Sequence, residues 1–127
     1  MRTSFFLSVL FLLTACAPFV PVVDLDRVPQ AQVSDSLKIR VFTLESGAVY
    51  PDVAEVLGEV TAYSCKFLPT DPPASKGDAL KRLRLEALKL QADAIIDVTF
   101  DTRGTDAFGT NCWQTVQASG QAVRLKR

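Results

Sequence analysis

Residues 75–100, SKGDALKRLRLEALKLQADAIIDVTF, decide the fold, because a helical period gives way to a strand period within them. Ser75 and Asp78 have the spacing of a capping pair. The hydroxyl takes a free amide and the carboxylate sits in the positive first turn, so a helix starts here. Ala79, Leu80, Leu83, Ala87 and Leu90 fall within about a third of the wheel at about 100° per residue, the stripe of a helix lying on a sheet. Leu85, Leu88 and Ala92 form a second apolar stripe, while Arg82, Glu86 and Lys89 point away from both. A second cover over that stripe is expected, since large exposed apolar patches are uncommon; a partner-binding strip is the alternative. Ala92-Asp93-Ala94 ends the helix without glycine, and Asp93 is the expected left-handed residue. Ile96, Val98 and Phe100 then alternate with Ile95, Asp97, Thr99 and Asp101. Strand, helix and strand are expected to form a crossover unit, right-handed if the strands are parallel.

Upstream, Leu37 to Leu44 alternates as an amphipathic first strand and Glu45-Ser46-Gly47 breaks it. Pro51 to Glu55 permits a short helical turn. Val56 to Tyr63 alternates again, with Val56, Gly58, Val60 and Ala62 on one face, and leads into Cys65. Pro69, Pro72 and Pro73 make residues 67–76 a surface loop. Downstream, residues 102–111 form a polar loop, and Trp113 to Leu125 is a last strand. Its parity slips between Val116/Ala118 and Val123/Leu125, so a bulge is expected at Ser119-Gly120. Residues 17–36, with Pro18, Pro21 and Pro29 and no steady period, read as a linker without elements. It is either a passive spacer or a segment held by another protein.

Fourteen basic and fourteen acidic residues cancel, which argues against nucleic acid as a partner. There is no histidine, so Ser/His/Asp and Cys/His machinery and His-containing zinc sites are excluded. No metal site, cofactor or catalytic residue is assigned, and the protein is expected not to be an enzyme. Asp97 and Asp101 share a face that a solvated sheet explains as well as acid/base chemistry does. A calcium loop from Asp101 and Asp106 lacks the closing glutamate. At the start, Met1-Arg2, the apolar run Phe5 to Leu13 and the small residues Thr14-Ala15 have the anatomy of an export signal. The run is too short for a helix crossing a hydrocarbon core about 30 Å thick. Leu13-Thr14-Ala15-Cys16 resembles a bacterial lipobox, in which the cysteine is acylated and becomes the first residue. The expected division is a signal peptide at 1–15, the lipidated Cys16 with its linker at 16–36, and one domain at 37–127. Cys65 and Cys112 remain, and an exported pair is read first as a disulfide.

The run Leu57-Gly58-Glu59-Val60 to Cys65, the Pro72-Pro73 loop, Lys81-Arg82, Ala87, Lys89, Ala92-Asp93-Ala94-Ile95 and Cys112 together resemble the RcsF family over about residues 55–125. The family comprises outer-membrane lipoprotein sensors of the Rcs envelope-stress phosphorelay. The resemblance implies a small α+β signalling domain of about four strands and one main helix. It also implies outer-membrane barrel proteins and their assembly machinery as partners, and the inner-membrane repressor IgaA as the signalling target. Well-known members carry two disulfides; here Cys65 and Cys112 match one bridge, and Phe100 and Ala118 align with the other, an apolar pair able to fill that space. The linker also departs, being short and nearly free of positive charge apart from Arg27. Ala17 is not the aspartate that commonly retains lipoproteins in the inner membrane, so the expected place is the outer membrane, with the domain facing the periplasm. Lys81, Arg82 and Lys89 are the expected partner-binding face, with a solvated helix exterior as the alternative reading.

Overall fold

A computed structural model describes residues 22–47, 49–104 and 110–127. Helix α2 (Lys76–Lys89) begins where the capping pair requires: the Ser75 Oγ accepts the Asp78 amide at 3.1 Å. It ends by a route other than expected. Gln91, not Asp93, takes the left-handed backbone (φ 57°), and the Ala92 and Gln91 amides reach back to the carbonyls of Ala87 and Leu88. That is the Schellman arrangement, with the buried Ala92 resting over Ala87. Asp93 acts as a clamp instead. Its carboxylate accepts the Leu125 amide at 3.0 Å, its carbonyl accepts the Arg40 amide at 3.2 Å, and its own amide donates to Val123 at 2.9 Å.

Four strands, β1 (Arg40–Thr43), β2 (Val53–Lys66), β3 (Ala94–Arg103) and β4 (Gln114–Leu125), form one mixed sheet in the order β1-β3-β4-β2. β1 runs parallel to β3, and β4 is antiparallel to both β3 and β2. The crossover from β2 through α2 to β3 therefore spans the width of β4, which returns to fill the gap. Ala79, Leu83 and Ala87, all fully buried, set α2 on a sheet face that includes Val60, Ala62, Ile95, Val98, Val116, Ala118 and Ala122. Small side chains on both layers allow that close approach. The α+β class holds, with one helix more than expected.

That helix, α1 (Gln30–Ser36), lies inside the segment read as an elementless linker, after a 3-10 turn at Leu25–Arg27 capped by Asp24. Seven residues are too few for a stable free helix. α1 packs on α2, where Val23 and Val28 meet Leu85 and Leu88 around an apolar slot of about 240 Å³. The second stripe of α2 is thus covered by the chain's own N-terminal segment.

Three strand readings need correction. β1 is half the expected length, because Leu37 terminates α1 and Leu44 opens a 3-10 turn closed by the left-handed Gly47. Pro51 to Glu55 makes no helical turn: the strand starts at Val53, drawn into pairing with Leu125 and Arg124. The bulge expected in β4 at Ser119-Gly120 sits on its neighbours. β4 pairs without a slip from Gln114 to Gln121 against β2, while β2 shifts at Val56/Gly58 and β3 at Ile96/Thr99, where Asp97 is left-handed (φ 54°). The β3 bulge turns both Ile95 and Val98 into the core, at 0% and 1% exposure, although their sequence parity places them on opposite faces.

Gly120 answers to that bulge. A Cβ there would stand 2.7 Å from the Ile95 Cγ2, 2.9 Å from the Ile96 carbonyl oxygen and 2.9 Å from the Val98 Cγ2. The carbonyl belongs to the backbone and cannot swing aside. Gly120→Ala is expected to destabilise the domain by about 1–3 kcal/mol through overpacking, read as a lowered urea midpoint with unchanged slope; an unchanged midpoint would refute the steric account.

Candidate functional site: the helix face and the disulfide end

The expected partner face divides in two. Lys81 is exposed, and Lys89 is exposed with its ammonium 2.8 Å from the Glu86 carboxylate. Arg82 is withdrawn: its side chain keeps 13% of its exposure, its guanidinium grips the Asp78 carboxylate one turn back, and its Nε donates to the Val23 carbonyl at 2.8 Å. The expectation that Arg82 points away from both apolar stripes is corrected, because the segment covering the second stripe passes over it. Asp78 also accepts the Ser64 hydroxyl at 2.6 Å, and the Ser64 Oγ accepts the Ser75 amide at 3.1 Å. One polar chain therefore ties the N-terminal segment to α2 and α2 to β2. The spacing of Asp78 and Arg82, four apart on a helix, was legible in the sequence; the Val23 carbonyl was not. Arg84, given no role by sequence, repeats the device by donating to the Ile39 carbonyl at 3.1 Å.

Ser64 leads directly to the bridge. Cys65 and Cys112 are joined, with Cα atoms 5.6 Å apart across a sequence separation of 47. The bridge binds the end of β2 to the chain entering β4, beside the Trp113 amide, which donates to Lys66 at 2.7 Å. Cys112 is 1% exposed, and the Thr110 and Thr115 hydroxyls, both buried, meet at 3.0 Å next to it. Left-handed Asn111 (φ 56°) lets the chain fold back between them. In the chain-entropy account, closing so long a loop contributes about 4 kcal/mol. Phe100 and Ala118, aligned with the missing second bridge, stand directly opposite each other in the β3–β4 ladder. Ala118 is fully buried and half-buried Phe100 packs against the core, with the Lys76 Nζ 5.0 Å from its ring centre.

Asp97 and Asp101 are separately engaged, Asp97 accepting the Tyr50 hydroxyl at 2.8 Å and Asp101 pairing with Arg103 at 3.0 Å. The hydrogen bond to Asp97 holds the Tyr50 phenol above its ordinary pKa. Asp106 and Cys16 lie outside the described residues. Among the described residues, no three of His, Cys, Asp and Glu converge as a metal site, and no helix is long and apolar enough to cross a membrane. A hollow of about 730 Å³ lined by Glu55, Asp93, Arg124 and neighbours lies at the far end of the sheet.

These features define a small α+β domain, its helix covered on two sides and its sheet pinned at one end by a disulfide. The chain belongs to the YbjQ_1 family, described as "Putative heavy-metal-binding", which matches residues 22–126. Among solved structures it is similar to a protein of unknown function of the DUF74 family from Pediococcus pentosaceus ATCC 25745. That likeness has a TM-score of 0.48 and 17% identity, over 69% of this chain and 98% of the other. No curated protein matches the chain.

The polar chain predicts unequal roles for the three basic residues. Arg82→Ala is expected to cost about 2 kcal/mol by leaving Asp78 and the Val23 carbonyl short of a donor, and Lys81→Ala less than about 0.5 kcal/mol. Equal urea midpoints for the two variants would remove Arg82 from the fold's supports.

Proposed function

We propose that this protein is an outer-membrane lipoprotein of the RcsF kind. Its periplasmic domain passes envelope stress to the Rcs phosphorelay by contact with IgaA, and it is handled by barrel proteins and their assembly machinery. The observation that supports this reading is the Cys65–Cys112 bridge. A structural disulfide suits an oxidising compartment, and it leaves Cys16, behind an export-signal pattern, as the one cysteine of three outside the bridge. The action is relocation and contact, not catalysis. Lys81 and Lys89 are the helix cations exposed to a partner, while Arg82 serves the fold. A structural or ligand-binding envelope lipoprotein of the same fold that never signals is the competing reading. Deleting the gene in its host and recording Rcs-dependent transcription under envelope stress separates the two. Loss of induction is expected, and an unchanged response would end the sensor reading.

The family's description directs attention to heavy metals, and the donors of this chain fit that chemistry poorly. Soft and borderline ions favour thiolate and imidazole. The chain has no histidine, and the sulfurs of Cys65 and Cys112 are bonded to each other. Native mass spectrometry of the oxidised protein titrated with zinc or cadmium is expected to show no stoichiometric uptake. One tightly held ion per chain, lost in a variant of Asp or Glu, would establish a carboxylate site and overturn that expectation.

A further inference from the structure

We infer that the end of the domain carrying Phe67, Leu68 and Trp113 rests on the lipid surface to which the chain is tethered, an inference built on the lipid-anchor reading of Cys16. Phe67, Leu68 and Trp113 are 51%, 57% and 55% exposed. Phe67 and Leu68 follow Lys66 and Trp113 precedes its ladder partner Gln114, so the three lie together at one end of the sheet, beside the disulfide. The other large exposed apolar residues do not share that end. Val56 and Leu90, for example, stand at the opposite ends of β2 and α2.

The N-terminal segment leaves the domain in the same half of the molecule. Val23 is held by Arg82, Arg82 by Asp78, and Asp78 by Ser64, the residue before Cys65. Five residues lie between Cys16 and Val22, so six chain steps give a reach of about 20 Å even when fully extended. Helix α2 alone, at 14 residues, is about 21 Å long. The domain is therefore confined within about its own depth of the bilayer, and the half from which the tether departs is the half brought down.

The chemistry of that end suits the headgroup region. Tryptophan combines apolar area with preference for the water–lipid boundary, and phenylalanine and leucine add apolar area to bury in it. Lys66 and Arg103 line the same shallow hollow as Trp113. Their apolar stems can lie along the lipid while the charged heads meet phosphate, Arg103 keeping Asp101 as a neighbour. A patch of three side chains binds membranes weakly when free. So short a tether holds it at high effective concentration, where weak affinity suffices.

Trp113 is the chain's sole tryptophan and so reports on this end without labelling. The full mature lipoprotein is placed in vesicles of phosphatidylethanolamine and phosphatidylglycerol with brominated acyl chains, and anchoring is read separately by flotation and by the acyl mass on Cys16. The expected result is flotation with a blue shift and quenching of Trp113 emission. Phe67→Ser with Leu68→Ser, checked for an unchanged urea midpoint, should still float yet lose that quenching. Flotation with an unquenched, water-exposed Trp113 would overturn the docked end and leave the anchor intact. Absence of both flotation and acyl mass would overturn the anchor and the docking together.

Discussion

Helix α2 has two apolar stripes, and the molecule is arranged around covering both. One stripe, Ala79, Leu83 and Ala87, takes the sheet, joined by Ala92 beyond the helix; the other, with Leu85 and Leu88, takes the N-terminal segment. Neither cover would persist without the helix between them: a four-stranded sheet with one apolar face needs a layer on it, and a seven-residue helix cannot hold itself together. Arg82, Asp78 and Ser64 bolt the three layers at their edge, where partial burial strengthens each charge-assisted hydrogen bond.

The sheet pays for helix contact with local irregularity. Turning Ile95 and Val98 to the same side requires a bulge at Asp97, and the inward side chains then occupy the space a side chain at position 120 would need. Gly58, at φ 144°, sits in the second irregularity in a conformation that favours glycine. Regular β4 between two bulged neighbours is the strand that keeps register for the others. Its entry is secured by the disulfide and its exit by the Asp93 clamp.

Three carboxylates are spent on structure: Asp97 on Tyr50, Asp101 on Arg103, Asp93 on the Leu125 amide. Lys81 and Lys89 are exposed on one helix edge, and Trp113 is exposed at the disulfide end of the sheet. The covering of α2 by residues 22–36 makes the N-terminal segment part of the fold.

The sequence by itself determined the class, the start of α2, the proline loop, the pairing of Cys65 with Cys112 and the need for a second cover on α2. Each rests on local signals: a capping spacing, a helical period, prolines, and a pair of cysteines behind a stretch with the anatomy of an export signal. Only tertiary structure decided what the second cover is, which strands carry the bulges, and that Arg82 turns inward. A short helix in residues 30–36 has too weak a local signal to be read, since its stability comes from packing on α2, far along the chain. A parity slip records that an irregularity exists without saying which of three hydrogen-bonded strands holds it. An arginine on a helical wheel looks free until a distant backbone carbonyl, here that of Val23, is brought against it.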